Sequence, residues 1–146
     1  MDTIKIKKLT EHAIVPQRAT AGSAGMDLCA CIEAPIIVAP RGLVTVPTGL
    51  AIALPNSSCV ALLFGRSGLG VKHGITLSNS VGVIDSDYRG ELKVGLCNLS
   101  DTPYTIQPNE RIAQLVITPV LPLPVQQVDE LDETERGEGG FGSTGK

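Results

Sequence analysis

The chain has 146 residues, 42% of them apolar and 18% charged, and carries a net charge of −3. That length suits a single domain with its own core, and the negative balance excludes a global field that gathers nucleic acid or an anionic membrane surface. No apolar run approaches the ~20 residues that cross a bilayer. The four cysteines form no CxxC pair and stand apart in sequence from His12 and His73, which argues against zinc. With no export signal in view, Cys29, Cys31, Cys59 and Cys97 read as buried free thiols in a reducing cytoplasm.

In chain order, residues 4–9 alternate and predict a first strand, and a loop over 10–25 ends in small residues. Residues 26–32 predict a second strand, with Leu28, Ala30 and Ile32 on one face. Prolines 35, 40, 47 and 55 then punctuate short apolar runs at 36–39, 43–46 and 50–54. Further strands are expected at 59–64, 75–77, 104–106 and 111–118. The last places Arg111 and Ala113 on one face, Ile112 and Gln114 on the other. Residues 67–73 allow at most a couple of helical turns, against the preference of their glycines. Residues 81–96 alternate on both sides of the break Asp85-Ser86-Asp87-Tyr88-Arg89-Gly90, which predicts a β-hairpin. Short strands bounded by Pro or Gly imply an all-β sandwich or barrel over residues 1–118. With aromatic content of 3% and no Trp, the core must be packed with Val, Ile, Leu and Ala. Phe64, Tyr88, Tyr104 and Phe141 are then candidates for roles other than filling space.

Beyond residue 118 the composition shifts. Residues 119–133 form a proline-spaced Val/Leu arm that turns acidic, and 134–146 form a mobile, glycine-rich tail. Extended, residues 120–131 cover roughly 37 Å at about 3.1 Å per residue, while ~120 residues fold to a radius of gyration near 14 Å. The arm reaches past its own body, and its apolar residues are poorly suited to water. Exchange between copies in an oligomer follows.

Several segments carry groups suited to an anion. Gly65-Arg66-Ser67-Gly68 sets a cation, a hydroxyl and permissive backbone at a strand end, which serves a turn or a phosphate equally. Asp85 and Asp87 either cap a turn or do chemistry. Asp27 follows small residues at a strand start, and Asn79 either shapes a turn or meets a base edge. Gln114 in an apolar strand wants a polar partner. The tail offers Arg136, Ser143, Thr144 and Lys146, with Phe141 as its one ring. It lacks the order of a P-loop, and no helix follows it.

Taken together, Ala24-Gly25-Met26-Asp27-Leu28, Gly65-Arg66-Ser67-Gly68, the segment from Gly82 to Gly90, Arg111-Ile112-Ala113-Gln114-Leu115 and the segment from Arg136 to Gly145 resemble the five ordered motifs of the homotrimeric dUTPases. The resemblance runs from about residue 20 to the end, and Gly65 departs from the alanine usual there. It implies a jelly-roll-like β-barrel with an extended C-terminal arm, assembled as a cytoplasmic homotrimer whose active sites are shared between subunits. It also implies Mg²⁺-dependent hydrolysis of dUTP to dUMP and pyrophosphate, keeping uracil out of DNA and supplying dUMP for thymidylate synthesis.

By the same resemblance, Asp85 activates the water that attacks the α-phosphorus. Arg66, Ser67, Gly68 and Gln114 hold phosphates, and Asp27 faces the metal through water. Asn79 and the backbone at Lys93 read uracil, Tyr88 packs under the deoxyribose, and Asp87 holds the turn. Phe141 stacks on the base while Arg136, Gly142, Ser143 and Thr144 close on the phosphates. A deaminase acting on dCTP is the nearest rival on a related fold, and a scaffold without activity the next. The first wants a glutamate base where this chain has Asp85, and the second needs neither that carboxylate nor the tail.

Overall fold

The computed structural model describes residues 3–142. It is built of eleven strands and one short helix. In order these are β1 (Lys5–Lys8), β2 (Gly25–Cys29), β3 (Ile36–Val38), β4 (Leu43–Pro47), β5 (Leu50–Ala53), β6 (Cys59–Phe64), α1 (Ser67–His73), β7 (Ile75–Leu77), β8 (Gly82–Ile84), β9 (Lys93–Asn98), β10 (Tyr104–Ile106) and β11 (Arg111–Pro119). The all-β expectation holds. The strands divide among four antiparallel ladders: β2-β11-β6-β8, β4-β9-β7, β1-β5 and β10-β3. No helix among the described residues is long and apolar enough to cross a membrane.

The two larger ladders face each other through an aliphatic core. Leu28, Ala61, Leu63 and Leu115 come from one; Val46, Ile75, Leu77, Val94 and Leu96 come from the other, all in one buried cluster. Each fully buried Leu, Ile or Val contributes about 1.5–3 kcal/mol relative to exposure. None of the four aromatic side chains is fully buried: Phe64 and Tyr104 are half-buried, and Tyr88 and Phe141 are exposed. The one buried amide is satisfied locally. Asn98 Nδ2 donates to Val38 O (3.1 Å) and Thr102 O (2.8 Å), and Oδ1 accepts from Ser100 N (2.9 Å) and Oγ (2.7 Å).

Three expectations need correcting. The segment 81–96 is no hairpin: β8 pairs with β6, whereas β9 pairs with β4 and β7 in the other large ladder. Residues 85–92 therefore pass from one sheet to the other. Second, a bulge between Arg111 and Ala113 breaks the alternation of β11, so Ile112 and Ala113 are both buried. Third, the four free cysteines are half-buried rather than buried.

Tyr104 ties α1 to the rim of the core. Its ring lies 5.0 Å from that of His73, tilted by 51°, and its hydroxyl donates to Glu110 Oε1. Burial, then that hydrogen bond, then the Glu110 charge push its pKa up to about 12. The fold therefore favours the neutral phenol. The stabilisation is intact below the ordinary value of about 10 and is lost as pH rises from there through about 12. Alkaline unfolding curves for the wild type and Tyr104→Phe should show this loss only in the wild type, with a matching late step in phenolate absorbance. Equal slopes for the two proteins would refute it.

Candidate active site

The first cluster forms where three strands of one sheet end together. Gln114 on β11 lies in register between Asp27 on β2 and Phe64 on β6. Its side chain crosses Gly25, where an added Cβ would stand 2.5 Å from Gln114 Oε1, so only glycine leaves that path open. Nε2 then donates to Gly65 O (2.9 Å), fixing the segment that leaves β6. Arg66 follows as the extended N-cap of α1 (φ −95°, ψ 136°) and reaches back over β11 to Asp27. Its Nε donates to Asp27 Oδ1 (2.8 Å), and Arg111 Nη1 donates to Oδ2 (3.3 Å).

The first helical hydrogen bond of α1 runs from Gly70 N to Arg66 O (2.9 Å). The N–H groups of Ser67, Gly68 and Leu69 precede it and have no acceptor within the helix. A Cβ at Gly68 would meet nothing within 4 Å, and Ser67 and Gly68 are exposed. This is an open cradle of backbone donors flanked by two guanidiniums, suited to phosphate oxygens. Cys29, two residues along β2 from Asp27, has its thiol pushed up by burial and by the Asp27 carboxylate, against the opposing pull of Arg111 and Arg66.

The cradle does not fit a protein-held magnesium ion. Asp27 is its single carboxylate and both oxygens are held by arginines, whereas a resident cation needs several free oxygens. Among the described residues no three His, Cys, Asp or Glu side chains gather as a metal site.

The second cluster follows β8. Val83, Ile84, Asp85, Tyr88, Glu91 and Lys93 line a cleft of about 310 Å³, with Asp85 exposed at its edge. The turn is held by Tyr88 N donating to Asp85 O (3.1 Å) and by Arg89 Nη1 donating to Ser86 O (2.8 Å) and Tyr88 O (2.9 Å). Tyr88 lays its ring over Gly90, where any side chain would collide with it, and its hydroxyl donates to Glu91 O (3.0 Å). Glu91 was not singled out from the sequence. It accepts from Gly49 N (3.0 Å) and stands 3.8 Å from Lys93 Nζ, anchoring the floor of the cleft. Asn79 is exposed beside Ser80 (φ 65°) in a tight turn closed by Val81 N donating to Asn79 O (2.7 Å). It does not line the cleft.

The third group is the tail. Arg136, Phe141 and Gly142 line a wide bowl together with Thr134, Glu135, Gly139 and Gly140. The Phe141 ring is fully exposed. Ser143 and Thr144 lie outside the described residues.

The first two groups do not meet within one chain. Ile84 is in register with Ala61 on β6, and Arg66 lies five positions further along. Asp85 continues that register to Val60, so at about 3.3 Å per residue an extended chain carries Arg66 roughly 20 Å beyond it.

A family model described as dUTPase matches residues 11–145. The deoxyuridine 5'-triphosphate nucleotidohydrolase of Neisseria meningitidis serogroup B is 52% identical over 144 residues, covering 97% of this chain and 96% of that protein. The chain belongs to the dUTPase family. The enzyme of the same name from Paraburkholderia phymatum is 55% identical over 143 residues, covering 98% of this chain and 97% of the relative. Among solved structures, the Staphylococcus bacteriophage 80alpha dUTPase with dUPNHPP superposes with a TM-score of 0.88 at 30% identity, over 99% of each chain. As a dUTPase, this chain hydrolyses dUTP to dUMP. Its strand arrangement is that of the family.

Proposed function

We propose that hydrolysis takes place in sites composed from three copies of the chain, with Asp85 of one copy facing the Arg66-Ser67-Gly68 cradle of another. The observation that carries this reading is the register of β8 on β6, which sets Asp85 and Arg66 of one chain roughly 20 Å apart, too far for the α-phosphate of one nucleotide to touch both. The arm supports it. Leu121, Leu123, Val125 and Leu131 are between 75% and 99% exposed, an apolar surface that a neighbouring copy would cover. The family resemblance supports a homotrimer as that assembly.

In this reading dUTP lies with its phosphates on the free N–H groups of the cradle. Magnesium arrives bound to the triphosphate as part of the substrate, and any meeting with Asp27 is through water. Asp85 accepts a hydrogen bond from the attacking water and takes its proton as the oxygen closes on the α-phosphorus; pyrophosphate leaves in line. Gln114 keeps the cradle in place through Gly65. Asn79 and the backbone at Lys93 pair with the uracil edge, where cytosine would leave buried groups unmatched. Tyr88, held by Glu91 and Gly90, fills the space a 2′-hydroxyl would need. Phe141 stacks on the base as the tail closes, bringing Arg136, Gly142, Ser143 and Thr144 to the terminal phosphates. The four free thiols suit a cytoplasmic setting.

Subunit mixing tests the shared site. Asp85→Asn and Arg66→Gln chains, each inactive alone, should regain activity when refolded together, because mixed assemblies contain sites with both wild-type groups. Pyrophosphate release from dUTP is the readout. Mixtures as inactive as the separate proteins would place both residues in one chain's site and overturn the proposal.

A further inference from the structure

The crossing segment 85–92 carries Asp85 and Tyr88, and its far end is pinned to the turn between β4 and β5. Thr48, in that turn, is only 1% exposed. Its N and Oγ1 both donate to Leu92 O (3.2 and 2.7 Å), and Leu92 N donates to Leu50 O (2.8 Å). Gly49 N donates to Glu91 Oε1 (3.0 Å), while Gly49 O accepts from Leu9 N (2.8 Å). Gly49 has φ 67°, and a Cβ there would stand 2.9 Å from both Ala13 Cβ and Cys31 Sγ. Packing and hydrogen bonds together make this turn a rigid anchor.

Glu91 joins the anchor to Tyr88. Its carboxylate is held by Gly49, and its carbonyl accepts from the Tyr88 hydroxyl (3.0 Å). The nearby Lys93 Nζ, 3.8 Å away on a side chain 57% exposed, adds little in water. We infer that Glu91 is a positioning residue for sugar selection: it ties the Tyr88 ring to the Gly49 turn, so that the ring cannot yield to a ribose 2′-hydroxyl. This rests on the reading of Tyr88 as the surface under the deoxyribose. One added hydroxyl is small, and a wall excludes it only when the wall is unable to shift. The Tyr88 ring is 43% exposed, so packing alone does not hold it. Its backbone is fixed by Asp85 and Arg89. Among the described residues, the direction of the ring is fixed by the hydroxyl contact with Glu91.

The test is the ratio of kcat/KM for UTP to that for dUTP, read as pyrophosphate release. It would be measured for the wild type, Glu91→Ala, Glu91→Gln, Tyr88→Phe, Tyr88→Ala and the Glu91→Ala/Tyr88→Phe double variant. Glu91→Ala cuts the link at Gly49, and Tyr88→Phe cuts it at the hydroxyl. Each should raise the ratio roughly tenfold, the worth of one hydrogen bond. Tyr88→Phe keeps the ring and the fold, so it answers the question even where Glu91→Ala fails to fold. The double variant should lie within about threefold of either single one, because both break one link. Glu91→Gln keeps an oxygen for Gly49 N and should hold the wild-type ratio. Tyr88→Ala removes the wall and should raise the ratio at least as far as Tyr88→Phe.

An unmoved ratio in Glu91→Ala or Tyr88→Phe overturns the inference, and an equal fall for both nucleotides counts as unmoved. A Glu91→Gln enzyme as permissive as Glu91→Ala overturns it too, since the carboxylate would then act by its charge. Should Tyr88→Ala keep the wild-type ratio, the sugar reading of Tyr88 fails and takes the inference with it. A raised ratio in Tyr88→Ala alone leaves that reading standing and removes only the role of Glu91.

Discussion

Asp85→Asn is expected to bind dUPNHPP within about tenfold of the wild type and to lose roughly 10³-fold or more in turnover. The side chain is exposed at the edge of its cleft, and the turn behind it is held by backbone and Arg89 contacts. An amide of the same shape should therefore leave Tyr88, Glu91 and the β8 ladder in place. What it removes is the capacity to take a proton, worth about 4 kcal/mol of barrier at that rate loss. The small binding change follows because, in the shared site, the phosphates are held by the backbone donors and arginines of another copy's cradle and not by this carboxylate. Single-turnover hydrolysis of dUTP beside calorimetry of the analogue separates the two quantities. A variant that still turns over at near the wild-type rate would remove Asp85 from the mechanism.

Ending the chain at Thr134 should spare the assembly and remove most activity. The deletion takes Arg136 and Phe141 and leaves the apolar stretch from Leu121 to Leu131. Stacking of an aromatic ring on a base is worth about 1–3 kcal/mol, and a charge-assisted hydrogen bond to phosphate about 1.5–3 kcal/mol. Together they predict a fall in kcat/KM of roughly 10²- to 10⁴-fold. Light scattering should report the wild-type mass. A monomeric product would move the subunit interface into the tail, and a fully active one would leave Phe141 without a function.

The fold was most legible where proline or glycine bounds a short apolar run. Cys59–Phe64, Ile75–Leu77 and Tyr104–Ile106 form strands at the limits their sequences suggest. Alternation says that a segment is a strand, but not which strand it pairs with. That is why residues 81–96 read as a hairpin while β8 and β9 join different sheets. The bulge in β11 escaped for a related reason: parity along a strand is lost at one extra residue, and nothing in Arg111-Ile112-Ala113 marks where. The helix at Ser67–His73 forms despite two glycines, because Leu69 is buried against the core. At the site, the residue types were legible and their contacts were not. Asp27 and Arg111 are 84 positions apart, and only the register of β2 on β11 brings them within 3.3 Å. The role of Glu91 was invisible for the same reason, since its partner Gly49 lies on the approach to another strand.

A core built only from aliphatic side chains also leaves the molecule without an indole. Fluorescence excited at the red edge, near 295 nm, therefore starts from a dark background. A tryptophan engineered in place of Phe141 would be the sole emitter. Its colour and polarisation would follow the tail as it leaves solvent for the nucleotide, in real time and without a label.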